Sequence, residues 1–148
     1  MARTGAVTGV CTSDIRGIQK TEKGTINLVE DYGIDGDAHA GKWHRQVSLL
    51  SQDVVDEFNK LGAGVEAGAF GENILVRGFD FKTLPIGTRF KCGDVVLEMT
   101  QIGKECHTHC QIYHKMGTCI MPHEGVFTKV IHGGTISVGD EFVMLEAE

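Results

Sequence analysis

The chain divides into short β-prone runs separated by polar, glycine-rich turns, with no regular alternation of strand and long helix. That pattern disfavours a parallel βαβ sheet and favours a sheet that closes, or nearly closes, on itself. Ala6–Cys11, Thr25–Val29, Gln46–Ser51 and Glu72–Val76 read as strands in the first half. Thr88–Lys91 then leads through a Cys-Gly-Asp turn into Val95–Ile102, the strongest strand signal, and Gly125–His132, Thr135–Val138 and Glu141–Leu145 follow. Ser51 stands where a helix N-cap is expected, with Asp53 in the first turn, Val54, Val55, Phe58 and Leu61 on one face, and Gly62 and Gly64 as the stop. His107–Met116 is a second helical candidate, which would bring Cys110, Tyr113 and His114 together at i, i+3, i+4 spacing. Twenty glycines against two prolines fit many tight turns. The expectation is a single, mostly β domain over residues 1–148: a β-barrel of about eight short strands with one or two short helices.

Composition excludes some partners. A net charge of −6 argues against nucleic acid, whose phosphate backbone needs a basic face, and leaves room only for a local basic pocket. No run of 18 apolar residues is present, so no membrane span is expected, and the amino terminus carries no signal-peptide core. Five cysteines, an odd number, read as reduced thiols and point to a cytoplasmic location.

The candidate chemistry is concentrated between Lys104 and Glu124, which hold three of the five cysteines and four of the seven histidines. Thiols and imidazoles packed this densely suggest sulfur or metal chemistry. As a structural zinc site, Cys106, Cys110, His114, Cys119 and His123 supply enough ligands, but the spacing lacks the paired knuckles that such sites use. The other chemical reading is a reactive or metal-ligating thiolate at Cys106, where a strand gives way to a loop. Lys104, His107 and His109 would lower its thiol pKa, and Cys110 would serve as resolving thiol or second ligand. A plain structural reading, with buried cysteines and surface histidines, stands beside both. Cys11 and Cys92 sit alone in strand-like surroundings and read as core residues.

Two further segments carry polar groups. In Gly33–Arg45, glycines allow close backbone approach to a ligand, while Asp37, His39, His44 and Arg45 offer acid–base and anion-binding groups. The same composition also suits an ordinary polar loop. In Gly68-Ala-Phe-Gly-Glu-Asn-Ile, Glu72 and Asn73 either face a cavity or cap a turn.

Taken together, Gly33-Ile-Asp-Gly-Asp37-Ala-His39, His44-Arg-Gln-Val-Ser-Leu-Leu, Gly68-Ala-Phe-Gly-Glu72-Asn73-Ile, Leu84-Pro-Ile-Gly, Val95-Val-Leu-Glu-Met-Thr-Gln with Cys106 six residues past Thr100, and Gly125-Val-Phe-Thr-Lys-Val-Ile-His-Gly-Gly with Val138-Gly-Asp140 resemble the MOSC domain. That family is named for the carboxyl-terminal domain of molybdenum cofactor sulfurases, and the chain is similar to its small stand-alone members. The resemblance implies a β-barrel whose pocket handles the molybdenum cofactor (molybdopterin) or a related sulfur-carrying group. The family's signature cysteine maps onto Cys106, as sulfur carrier or molybdenum ligand, with Cys110 as a rival. Lys104 and Arg45 would favour the thiolate and hold the cofactor's phosphate, with Asp37, His39, His44, Glu72 and Asn73 positioning it. The sequence departs from many relatives in placing Lys104-Glu105 before the thiol. Implied partners are the cofactor and its biosynthetic or acceptor enzymes. The implied activities are sulfur transfer, reduction of N-hydroxylated compounds, or cofactor carriage without turnover. The pyridoxal phosphate chemistry of long sulfurases belongs to another domain, so no pyridoxal lysine is expected here.

Overall fold

The computed structural model describes residues 3–14, 20–103 and 125–145. Its strands are β1 (Arg3–Thr12), β2 (Thr21–Glu22), β3 (Thr25–Val29), β4 (Gly33–Ile34), β5 (Val47–Ser51), β6 (Ile74–Arg77), β7 (Arg89–Cys92), β8 (Val95–Ile102), β9 (Val126–His132), β10 (Gly134–Ser137) and β11 (Glu141–Met144). One α-helix, α1 (Gln52–Lys60), and a 3₁₀ turn at Phe81–Thr83 complete the described elements.

Seven strands close a barrel in the order β1, β11, β7, β8, β9, β5, β6 and back to β1, and β2 extends β1 at its far end. The long first strand makes closure work. Its opening residues Arg3–Ala6 pair with β11, Ala6–Val10 pair with β6, and Cys11 and Thr12 pair with β2. Gly5 permits the tight seam, since a Cβ there would lie 2.2 Å from the Arg77 carbonyl oxygen. All the barrel pairings are antiparallel except β5–β6. A parallel pair needs a crossover connection, which α1 and the loop after it supply. A separate three-stranded sheet, β10–β3–β4, lies beside the barrel and sends Ile26, Leu28, Ile34 and Ile136 into the main core.

The core follows from alternation. β8 alternates buried and half-buried positions over Val95–Thr100, as a strand with one face inward must. β5 is buried at all five positions because Val47 and Leu49 face the main core while Leu50 packs beneath α1 with Val55, Phe58 and Phe70. Phe79, Phe81, Phe90 and Phe142 form an aromatic group within the main core, with ring centroids as close as 5.1 Å.

The strands expected from Thr25–Val29 and Val95–Ile102 are found with those bounds, and the others shift by a few residues at their ends. The helix begins after Ser51 as expected, but the Ser51 hydroxyl makes no capping bond and is buried without a partner. Leu61, placed by periodicity on the buried face, is instead exposed. It is the C-cap, where the helical repeat has already ended. The two-residue strands β2 and β4 and the 3₁₀ turn were not anticipated. The expected helix over His107–Met116 lies outside the described residues. No described helix is long and apolar enough to cross a membrane.

Candidate functional site

The loop after β4 folds around one buried ion pair. The Asp37 and Lys20 side chains are 0% and 1% exposed, and Lys20 Nζ lies 2.7 Å from Asp37 Oδ1. The backbone N–H of Ser13 donates to the same oxygen at 3.1 Å, and that of His39 donates to Oδ2 at 3.0 Å. Burial alone would raise this carboxyl. Hydrogen bonds from the Lys20 ammonium and from the backbone N–H groups of Ser13 and His39, together with the Lys20 charge, outweigh it and hold Asp37 well below the ordinary carboxylate range. Lys20 Nζ also reaches His39 Nδ1 at 3.0 Å. A surface cleft of about 690 Å³, lined in part by Thr21, Glu22 and Val65, reaches the network at Lys20.

His39 opens onto a chain of ring and cation contacts. Trp43 donates its indole N–H to the His39 carbonyl at 2.7 Å, and the two ring planes are 2° apart at a centroid distance of 6.4 Å. The Arg45 guanidinium lies 5.9 Å from the Trp43 ring and 5.4 Å from Phe127, within cation–π range of both. Gln101 Oε1 then accepts from Arg45 Nε at 3.0 Å and pairs with His44 Nε2 at 2.8 Å. Gln101 turns its amide nitrogen to the Gly103 carbonyl at 2.7 Å, so its oxygen faces the two basic groups.

β8 aims Gln101 by means of a bulge. Met99 pairs with Thr128 but Gln101 pairs with Phe127, so Thr100 is an extra residue against β9. The Thr100 hydroxyl bonds to the carbonyls of His44 and Phe127, tying the bulge to the His44–Arg45 strand entry. Just beyond, the Gly103 N–H donates to the Gly125 carbonyl at 2.6 Å, so the chain leaves and re-enters the described fold at one place.

Glu72 and Asn73 lie behind this surface. Asn73 accepts from the backbone N–H and hydroxyl of Ser48 through Oδ1 and donates to the Cys11 carbonyl, which stitches β1, β5 and the entry to β6 together. Glu72 is fully buried and accepts from the amides of Gly68 and Phe70 at 2.8 and 3.0 Å. Its carboxyl is pushed up by burial. The Gly68 carbonyl in turn accepts from the Lys20 N–H at 2.8 Å. A glycine is required there: its φ is +89° and a Cβ would sit 2.0 Å from the Lys20 carbonyl oxygen.

The structure thus brings Asp37, His39, His44 and Arg45 onto one continuous network, and sets Glu72 and Asn73 in its buried support. Lys104, Cys106 and Cys110, and the zinc alternative with Cys119, His114 and His123, lie outside the described residues. Among the described residues, no group of three or more His, Cys, Asp or Glu is arranged to hold a metal ion. Cys11 and Cys92 are buried free thiols, as expected. Burial raises both, Cys92 to about 12, so neither is a ready nucleophile. Sequence reasoning missed Lys20 and Gln101. A lysine in Gln-Lys-Thr-Glu-Lys looks solvated, and a strand-end glutamine looks ordinary. Only tertiary contacts distinguish them.

Several solved structures share this fold. The YuaD protein from Bacillus subtilis matches with a TM-score of 0.82 at 18% identity, covering 100% of this chain and 99% of that one. YiiM from Escherichia coli matches with a TM-score of 0.63 at 18% identity, covering 99% and 70%. YiiM from Geobacillus stearothermophilus matches with a TM-score of 0.65 at 19% identity, covering 96% and 73%. No curated protein sequence gives a significant match. The model of the MOSC domain matches residues 36–143, a span that runs from the Asp37 loop to β11 and includes most of the chain. The chain therefore belongs to the MOSC domain family, which is associated with molybdenum-cofactor-related proteins.

Proposed function

We propose that this protein binds the molybdenum cofactor, or carries sulfur for it, through the thiolate of Cys106. The observation that supports this most is the tie between the Gln101–Gly103 strand end and the basic pair His44–Arg45. Cys106 follows Gly103 by three residues, and three residues of chain span at most roughly 11 Å. In an acidic chain, Lys20, His39, His44 and Arg45 concentrate donors in one region. Asp37 adds no free negative charge, since its oxygens are taken up by Lys20, Ser13 and His39.

This donor set suits an anionic, phosphate-bearing cofactor. Arg45 would hold the phosphate, and Lys104 would favour the ionised thiol. When bound, the cofactor supplies a metal centre for oxygen or electron transfer. For sulfur carriage, the Cys106 thiolate attacks the outer sulfur of a persulfide donor. A new S–S bond forms, the donor's S–S bond breaks, and the donor leaves as a thiolate, so no external oxidant is needed. The free thiols Cys11 and Cys92 fit a reducing compartment, and we place the protein in the cytoplasm on that basis.

In the test, Cys106→Ala abolishes cofactor retention or sulfur loading, read by mass spectrometry of the intact protein, and leaves the thermal unfolding transition in place. Undiminished loading in that variant overturns the assignment. Cys110→Ala, tested beside it, retains loading if Cys106 is the working thiol.

A further inference from the structure

We infer that Lys20 sets the tautomer of His39, so that this ring meets a ligand as an Nε2–H donor and takes no part in metal ligation. The inference rests on the proposed function only in treating this face as the ligand site, and the ring chemistry stands apart from it. Lys20 Nζ donates to Asp37 Oδ1 at 2.7 Å and lies 3.0 Å from His39 Nδ1. An ammonium has three donors and no lone pair, so Nδ1 must offer its own lone pair to Lys20. In the neutral imidazole the proton then sits on Nε2.

The competing arrangement has Nδ1–H donating to a carboxylate. Here Asp37 Oδ2 is 3.7 Å from Nδ1 and already accepts the His39 backbone N–H at 3.0 Å. The ring cannot easily swing to improve that contact. Its residue is held at N by Asp37 and at O by the Trp43 indole, with the ring parallel to Trp43.

The Lys20–Asp37 pair is buried, whereas the His39 side chain remains 24% exposed. His44 differs, because its Nε2 is engaged by Gln101. His39 is therefore the histidine of this network with a donor to spare. The ligand atom opposite it must be an acceptor, such as a phosphate, oxo or carbonyl oxygen. A metal would need the lone pair of the nitrogen that is protonated. Lys20 acts as a positioning residue.

The experiment uses the full chain with ¹⁵N-labelled histidine and nothing bound. Long-range ¹⁵N–¹H correlations of the rings are recorded near pH 8, about where imidazole is neutral. The His39 signals are identified by their loss in His39→Gln. The expected spectrum shows an unprotonated Nδ1 and a protonated Nε2. A proton on Nδ1, or an even mixture of tautomers, overturns the inference. Lys20→Met is expected to lose the Nε2–H preference and Lys20→Arg to restore it, and a wild-type pattern in Lys20→Met overturns the role of Lys20. Should Lys20→Met fail to fold, the wild-type and Lys20→Arg spectra decide. Because the reading needs no cofactor, the outcome of Cys106→Ala bears only on the proposed function.

Discussion

Two buried carboxylates stand a short way apart in this fold and titrate in opposite directions. Asp37 is held ionised below the ordinary range, while Glu72 is pushed up. Both accept two backbone N–H groups. The difference is the ammonium of Lys20, which bonds directly to Asp37 but acts on Glu72 only as a weaker, more distant charge. Amide donors alone do not repay the desolvation of a carboxylate at Glu72. One cation in contact does so at Asp37. The Asp37 loop is thus built around a charge that its lysine stabilises, and the Glu72 loop around a carboxyl whose ionisation burial disfavours.

Removing the cation is the strongest way to break the contrast. Lys20→Met leaves Asp37 buried without its counter-charge and should cost about 3–5 kcal/mol of unfolding free energy in denaturant titration. A loss below about 1 kcal/mol would mean that the pair contributes little. Acid unfolding gives the next test. The folded-state pKa of Asp37 lies below its unfolded value, so its contribution is complete above about pH 4 and is lost as pH falls through the folded value. Asp37→Asn should flatten that acid limb of the stability profile. Glu72 has the opposite sign: its folded value is raised, so stability falls as pH rises above about 4.3, and Glu72→Gln should remove that decline. The smallest effect is expected from Glu72→Gln at neutral pH. One amide loses its acceptor, at about 1–3 kcal/mol, while the smaller desolvation cost of a neutral amide at this buried site offsets most of this. The net change should stay under about 1 kcal/mol in the same titration.

What the sequence made legible was whatever depends on neighbours in the chain. Val95–Ile102 and Thr25–Val29 announced themselves by alternation, and Ser51 with Gly62 bracketed the helix. Leu61 misled because periodicity carries no information about where a helix stops. β2 and β4 are two residues each, too short for alternation to mark them, and are defined only by their pairing with Cys11–Thr12 and Leu28–Val29. At the site, Asp37, His39, His44 and Arg45 drew notice by residue type, but their division of labour did not show. That division is set by Lys20, 17 residues from Asp37, and by Gln101, 56 residues from Arg45. Cys106 rests on the motif and the family, since it lies outside the described residues.

The seam between Arg3–Ala6 and Glu141–Met144 has a consequence for how the molecule is made. A ribosome delivers the first of these partners long before the second. Until the second emerges, the nascent β1 must therefore wait with one flank unpaired, exposed to other chains as a template for mispairing. A polypeptide stalled before Glu141 would leave the cylinder split along this seam.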